Sequence, residues 1–156
     1  MKPLPYTHSC FVCGDSNPFG LKLQFETDGR IVQTRFVPRA EHIGFKGVVH
    51  GGLIATVLDE IMVWACAVPT RKFAYCAELT VRYLRPLAPG VEVVVISELV
   101  ANRKNRLYEA KAAVRTVANV TLAEATGKYL PINSIAISEM ARDFVGDAGW
   151  LLAPSD

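Results

Sequence analysis

Across residues 53–68 only Thr56, Asp59 and Glu60 are polar, and the stretch is entered through His50-Gly51-Gly52. A helix built from such residues is apolar on nearly every face, so the rest of the chain has to wrap it rather than lie against one side. The same stretch is apolar enough to raise the question of a membrane. Carboxylates near the middle of a span cost roughly 2.5 to 3.5 kcal/mol each, and the flanking segments have globular composition, so a transmembrane helix is not expected.

The chain has 156 residues, one ordinary domain that buries a sizeable core without a disulfide or metal scaffold. Residues 21–26 and 31–37 alternate apolar and polar around Asp28-Gly29, which reads as a hairpin. Four more strand-like stretches lie near 73–84, 91–100, 107–116 and 120–130. The central helix is expected to stop at Pro69, because the residue before a proline is pushed out of the helical region. A short helix over 135–144 and a loosely held tail with Gly146, Gly149 and Pro154 complete the chain. The natural packing solution is α+β: an antiparallel curved sheet of about six strands around one long helix. We divide the chain into an N-terminal turn segment (1–19), the wrapped-helix domain (20–133) and a C-terminal helix or tail (134–156).

A net charge of +2 argues against nonspecific nucleic-acid binding. The first nine residues lack an apolar run, so no signal peptide and a cytoplasmic location are expected. Of four cysteines, Cys10 and Cys13 form one Cys-x-x-Cys pair. A structural zinc site wants about four ligands and no second pair follows; His8 offers a third, but a packed N-terminal turn is the expectation, with no metal.

His50-Gly51-Gly52 admits two readings. Glycine lets a ligand approach first-turn N–H groups that lack helical partners and carry the positive end of the dipole, making an oxyanion site; alternatively the glycines serve a tight loop-to-helix turn. His50 either fixes that loop or carries a proton. Asp59 lies eight residues past Gly51, about 12 Å along the axis, too far for both to act on one reacting atom. If they share a substrate, Asp59 comes from a second, antiparallel helix, so the dimer is a catalytic requirement. Glu60 points about 100° away and is expected to be paired structurally, with an arginine or a backbone donor. Thr56 bonds either the helix backbone or the carboxylate.

The run Glu41-His42-Ile43-Gly44-Phe45-Lys46-Gly47-Val48-Val49-His50-Gly51-Gly52, continuing through Thr56 to Asp59-Glu60, resembles the hotdog-fold acyl-CoA thioesterases of the phenylacetate-pathway (PaaI-like) type. Ala77-Glu78-Leu79-Thr80-Val81-Arg82-Tyr83-Leu84-Arg85-Pro86 extends the resemblance, and Cys10-x-x-Cys13-Gly14-x-x-Asn17-Pro18-x-Gly20-Leu21 is similar to the N-terminus of one subgroup. It implies a hotdog fold, a homodimer that pairs into a homotetramer, and hydrolysis of acyl-CoA thioesters without metal or organic cofactor. By position, the resemblance gives the Gly51 N–H the thioester carbonyl and Asp59 of the facing subunit the role of nucleophile or general base. Cys76 stands where relatives commonly have serine or threonine, and Gly44 near the place of a missing asparagine, with His42 as a substitute. For CoA phosphates the candidates are Arg82, Arg85, Arg103, Lys104 and Arg106, all of which read equally as exposed surface residues, the last three by themselves sooner as a solvated hairpin tip. Leu53, Val57 and Met62 are candidates to line an acyl cleft. Two other functions fit the same residues: an enoyl-CoA hydratase or dehydratase with His50 as base and Asp59 or Glu60 as acid, and a noncatalytic acyl-CoA binding protein.

Overall fold

The computed structural model describes residues 1–152. In chain order the elements are β1 (Lys2–Pro3), β2 (Tyr6–Thr7), β3 (Glu26–Thr27), β4 (Ile31–Phe36), α1 (Gly51–Thr70), β5 (Ala74–Tyr83), β6 (Val93–Arg103), β7 (Leu107–Thr116) and β8 (Thr121–Pro131). After them come α2 (Ser134–Met140), β9 (Phe144–Val145) and α3 (Gly149–Leu152). The main sheet has seven antiparallel strands in the order β1-β3-β4-β6-β7-β8-β5, and α1 packs across its five long strands. The architecture is the expected wrapped helix, with β1 added at one edge. Along α1, Ile54, Val57, Leu58, Ile61, Met62 and Trp64 are buried, facing strand residues such as Val32, Val93, Val95 and Val114. By length and composition α1 would reach across a membrane, and half of its apolar window is buried in this core.

Three expectations need correction. Residues 21–25 keep the predicted in-and-out alternation, with Leu23 and Phe25 buried, but only Glu26–Thr27 pairs as a strand. Lys22 has φ of 56°, which breaks the extended run, and the backbone instead bonds to the N-terminal segment through Leu21 N–H to Phe11 O and Leu23 N–H to Val12 O. Pro69 lies inside α1 rather than ending it. In the last turn it removes a single backbone bond, and the helix stops two residues later, where Arg71 adopts the left-handed conformation and its N–H bonds Ala67 O. The predicted C-terminal helix is shorter, running Ser134–Met140. A 3₁₀ turn, Ala141–Asp143, then leads into β9, which pairs with β2 through Tyr6 opposite Val145 and Thr7 opposite Phe144. The segment around Gly146 and Gly149 is therefore tied to the N-terminus, with Ala148 buried; Pro154 lies outside the described residues.

Strand β5 closes one end of the sheet order, with no strand paired to its outer edge among the described residues. From Tyr75 to Tyr83 most of its side chains are exposed, and Tyr75, Tyr83, Leu84 and Leu130 leave apolar surface on this side of the molecule. An open, partly apolar edge is a surface on which another strand can pair.

Candidate active site

The start of α1 is held by its own histidine. His50 is the N-cap, in extended conformation, and its ring Nδ1 accepts the Gly52 N–H at 2.9 Å. Accepting there fixes the unprotonated nitrogen at Nδ1 and satisfies one of the first-turn donors. The next two N–H groups, of Leu53 and Ile54, reach His50 O. Among the described residues the Gly51 N–H meets no acceptor, so it is the donor of this helix start left for a ligand. It lines a cavity of about 390 Å³ with Gly44, Phe45, Ile54, Tyr83 and Arg85. The Tyr83 hydroxyl donates to Gly51 O at 2.7 Å, and a Cβ on Gly51 would lie 3.2 Å from that ring. The turn is therefore tight, as the steric reading of the glycines requires, and among the described residues one of its donors is left without an acceptor.

Asp59 faces elsewhere. It lines a second cavity, of about 370 Å³, together with Glu60, Cys76, Phe73, Cys10 and Cys13. One carboxylate oxygen accepts the hydroxyl of Tyr129, a fully buried side chain of β8, at 3.0 Å. Burial, and then the Asp59 charge, hold the Tyr129 hydroxyl protonated well above the ordinary tyrosine range, so it serves Asp59 as a fixed donor. Sequence reasoning missed Tyr129: an aromatic in a strand 70 residues from its partner looks like any core residue. The signal that accompanies it is Gly127, two positions earlier on the same face of β8, where a Cβ would lie 2.5 Å from the Tyr129 ring. Cys76, an exposed free thiol opposite Tyr129 across the β5–β8 ladder, completes this end. Burial and the neighbouring Asp59 charge push its thiol up to about 11, so it stands by Asp59 as a neutral, weak donor.

Among the described residues Glu60 is paired with neither an arginine nor a backbone donor, contrary to expectation. Its Oε1 lies 3.7 Å from Cys10 Sγ and 3.6 Å from Cys13 Sγ. Burial first, and then the charges of Cys10 and Asp59, push the Glu60 carboxyl up to about 8. The hydrogen bond from Cys13, helped by the Cys13 and Val12 N–H groups, pulls the Cys10 thiol down to about 5, and Cys13 correspondingly holds its proton. His8, the third ligand considered from sequence, pairs instead with Asp15 at 2.8 Å.

Of the other expected site residues, only Arg85 joins the Gly51 cavity, where its Nη1 also donates to Thr121 O at 2.8 Å. Gly52 spends its N–H on His50. Thr56 donates to Gly52 O at 2.8 Å, the backbone alternative. His42 accepts the Arg39 N–H on Nδ1 at 3.0 Å and lies beside Phe36, so it shapes the loop and lines neither cavity. It does not replace the missing asparagine; at Gly44 a Cβ would meet the His50 ring at 3.0 Å. Arg82 sits opposite Glu124 in the β5–β8 ladder and lines neither cavity. Arg103, Lys104 and Arg106 form the tip of the β6–β7 hairpin, with Arg103 paired to Glu109 at 2.6 Å. Val57 and Met62 belong to the closed core rather than to a cleft; the apolar α1 side chains that line the cavities are Ile54 in the first and Val63 and Trp64 in the second, and Leu53 is partly buried.

Comparison with known proteins agrees with the fold. A thioesterase superfamily protein of known structure superposes with a TM-score of 0.73 at 24% identity over 79% of this chain, which spans 63% of that protein's length. The Escherichia coli PaaI protein from the phenylacetic acid degradation operon gives 0.66 at 18% identity, over 72% of this chain and 81% of its own. A Streptococcus mutans protein solved with acetyl-CoA bound gives 0.66 at 17% identity, over 71% and 89%. The helix wrapped by a long antiparallel sheet is thus the hotdog fold. Within that class, residues 46–108, which carry His50, Gly51, Asp59, Glu60 and Cys76, match the thioesterase superfamily.

Proposed function

We propose that this chain hydrolyses an acyl-CoA thioester to the free acid and CoA, in a site built by two copies of itself. One copy lends the Gly51 N–H to the carbonyl oxygen; the other lends Asp59 to the attacking water or to the carbonyl carbon itself. The observation that carries this reading is the separation of the two halves. The free donor of α1 and its reactive carboxylate open into different cavities of one chain, about 12 Å apart along the helix axis, so a single chain leaves both incomplete. An antiparallel pairing of two α1 helices brings unlike ends together, and a symmetric dimer then holds two equivalent sites. The exposed apolar edge around β5 supports such a partner, and two dimers pair into a tetramer in this proposal.

Each oxyanion donor is worth about 2.7 to 4 kcal/mol in the transition state of acyl transfer, and a positioned base about 10² to 10⁴ in rate. Arg85 beside the Gly51 cavity provides a guanidinium for a CoA phosphate. The acetyl-CoA bound to the Streptococcus mutans protein supports the same class of ligand here. The chemistry uses no organic cofactor, and we place it in the cytoplasm. Hydrolysis is favoured over hydration because His50, the base a hydratase reading requires, has Nδ1 committed to Gly52. The test is release of free CoA from an acyl-CoA panel. Asp59→Asn lowers the rate by about 10² or more; unchanged turnover excludes the assignment, and tight binding without turnover marks a noncatalytic acyl-CoA binder.

A further inference from the structure

We infer that Cys10, Cys13 and Glu60 form a binding site for one zinc ion, whose fourth coordination position opens onto the cavity shared with Asp59. The two thiols and the carboxylate converge: their donor atoms all lie within 4.8 Å of one another. Zinc held tetrahedrally with Zn–S near 2.3 Å and Zn–O near 2.0 Å places sulfur and oxygen ligands about 3.5 Å apart. The observed Sγ to Oε1 separations, 3.7 and 3.6 Å, match that edge on both sides.

The turn that presents the sulfurs has the form a metal thiolate needs. Cys10 Sγ accepts two backbone N–H groups, from Val12 at 3.2 Å and from Cys13 at 3.4 Å, so two amide dipoles point at one sulfur. Gly14 N–H closes the turn on Cys10 O at 3.0 Å. A Cβ at position 14 would lie 2.3 Å from that oxygen and 2.6 Å from His8 O, so the curl is possible only with glycine. Glu60 meets the sulfurs from the middle of α1, in a cavity it shares with the apolar Val63, Trp64 and Phe73 and with Asp59. Two thiolates and a carboxylate suit a borderline-soft divalent ion. All three ligand residues line the same cavity as Asp59 and Cys76, so the remaining position of the ion is reached from that cavity by water or by an entering group.

The inference is independent of the proposed hydrolysis, because its readout is metal binding. Full-length protein prepared without chelator should contain about one zinc per chain. After stripping, titration with Co²⁺ should give thiolate-to-cobalt charge-transfer absorption and tetrahedral d–d bands, saturating at one ion per chain. Cys10→Ser with Cys13→Ser should lose the charge-transfer band. Glu60→Gln should keep it with affinity lowered about 10-fold or more, since changes even outside the ligand set cost that much. If the double variant does not fold, the wild-type spectrum and Glu60→Gln still decide. Absence of zinc and of a thiolate band while the thiols are shown to be reduced overturns the proposal. So does isolation of the protein with a Cys10–Cys13 disulfide, or unchanged Co²⁺ affinity in Glu60→Gln.

Discussion

In the proposed hydrolysis Asp59 is the residue on which the chemistry turns, and its environment differs on its two sides. Toward β8 it accepts a hydrogen bond from a buried tyrosine; toward β5 it meets a neutral thiol. Tyr129 therefore acts as a positioning residue, holding the carboxylate oxygens in one orientation. Removing its hydroxyl while keeping the ring, in Tyr129→Phe, should lower kcat by about 10-fold or more with KM little changed, because a hydrogen bond to a charged group is worth about 1.5 to 3 kcal/mol. An unchanged kcat would show that Asp59 is oriented by something else. Asp59 and Gly51 were legible in the sequence because a carboxylate and a glycine pair stand out in an apolar helix. Tyr129 was not, since nothing local separates a buried aromatic that packs from one that also donates.

At the scale of elements, β8 shows how a strand can be fitted to one side chain. Gly127 and Tyr129 share a face, and the absence of a side chain at 127 is the space that the tyrosine ring occupies. Gly127→Ala places a methyl group 2.5 Å from the Tyr129 ring and 2.9 Å from its hydroxyl, so the ring has to move off Asp59. Overpacking of this kind costs about 1 to 3 kcal/mol. The variant should melt several degrees lower by calorimetry and lose kcat as Tyr129→Phe does; an unaltered Tm would mean that the ring relaxes freely. The five long strands of the main sheet were legible from the sequence, and α1 from its apolar run. Residues 21–25 alternate as well, yet form no strand, because Lys22 turns the backbone toward the N-terminal segment. Alternation reports burial on one side; ladder pairing depends on a neighbour that lies far away in sequence.

For the whole molecule, the features hardest to read were those that join distant parts. The N-terminal turn reaches α1 through Cys10, Cys13 and Glu60, and β2 pairs with β9 near the other end of the chain. Neither contact leaves a periodic trace in the sequence. The dimer is expected from helix geometry and from the family resemblance, and its proposal here rests on a free Gly51 N–H in one cavity and the Asp59 carboxylate in another. Gly51→Pro removes that donor with little disturbance. Proline is tolerated at the first helical position, His50 already has the extended backbone that must precede it, and the exposed Tyr83 ring has room to yield. The central claim is therefore tested by complementation. Gly51→Pro and Asp59→Asn chains, each nearly inactive alone, are co-expressed with different tags, and the heterodimer is purified and assayed on the best acyl-CoA substrate. A heterodimer has one intact composite site and should recover about half of the wild-type rate. A heterodimer as inactive as its two parents would place both groups within a single chain's site and contradict the account.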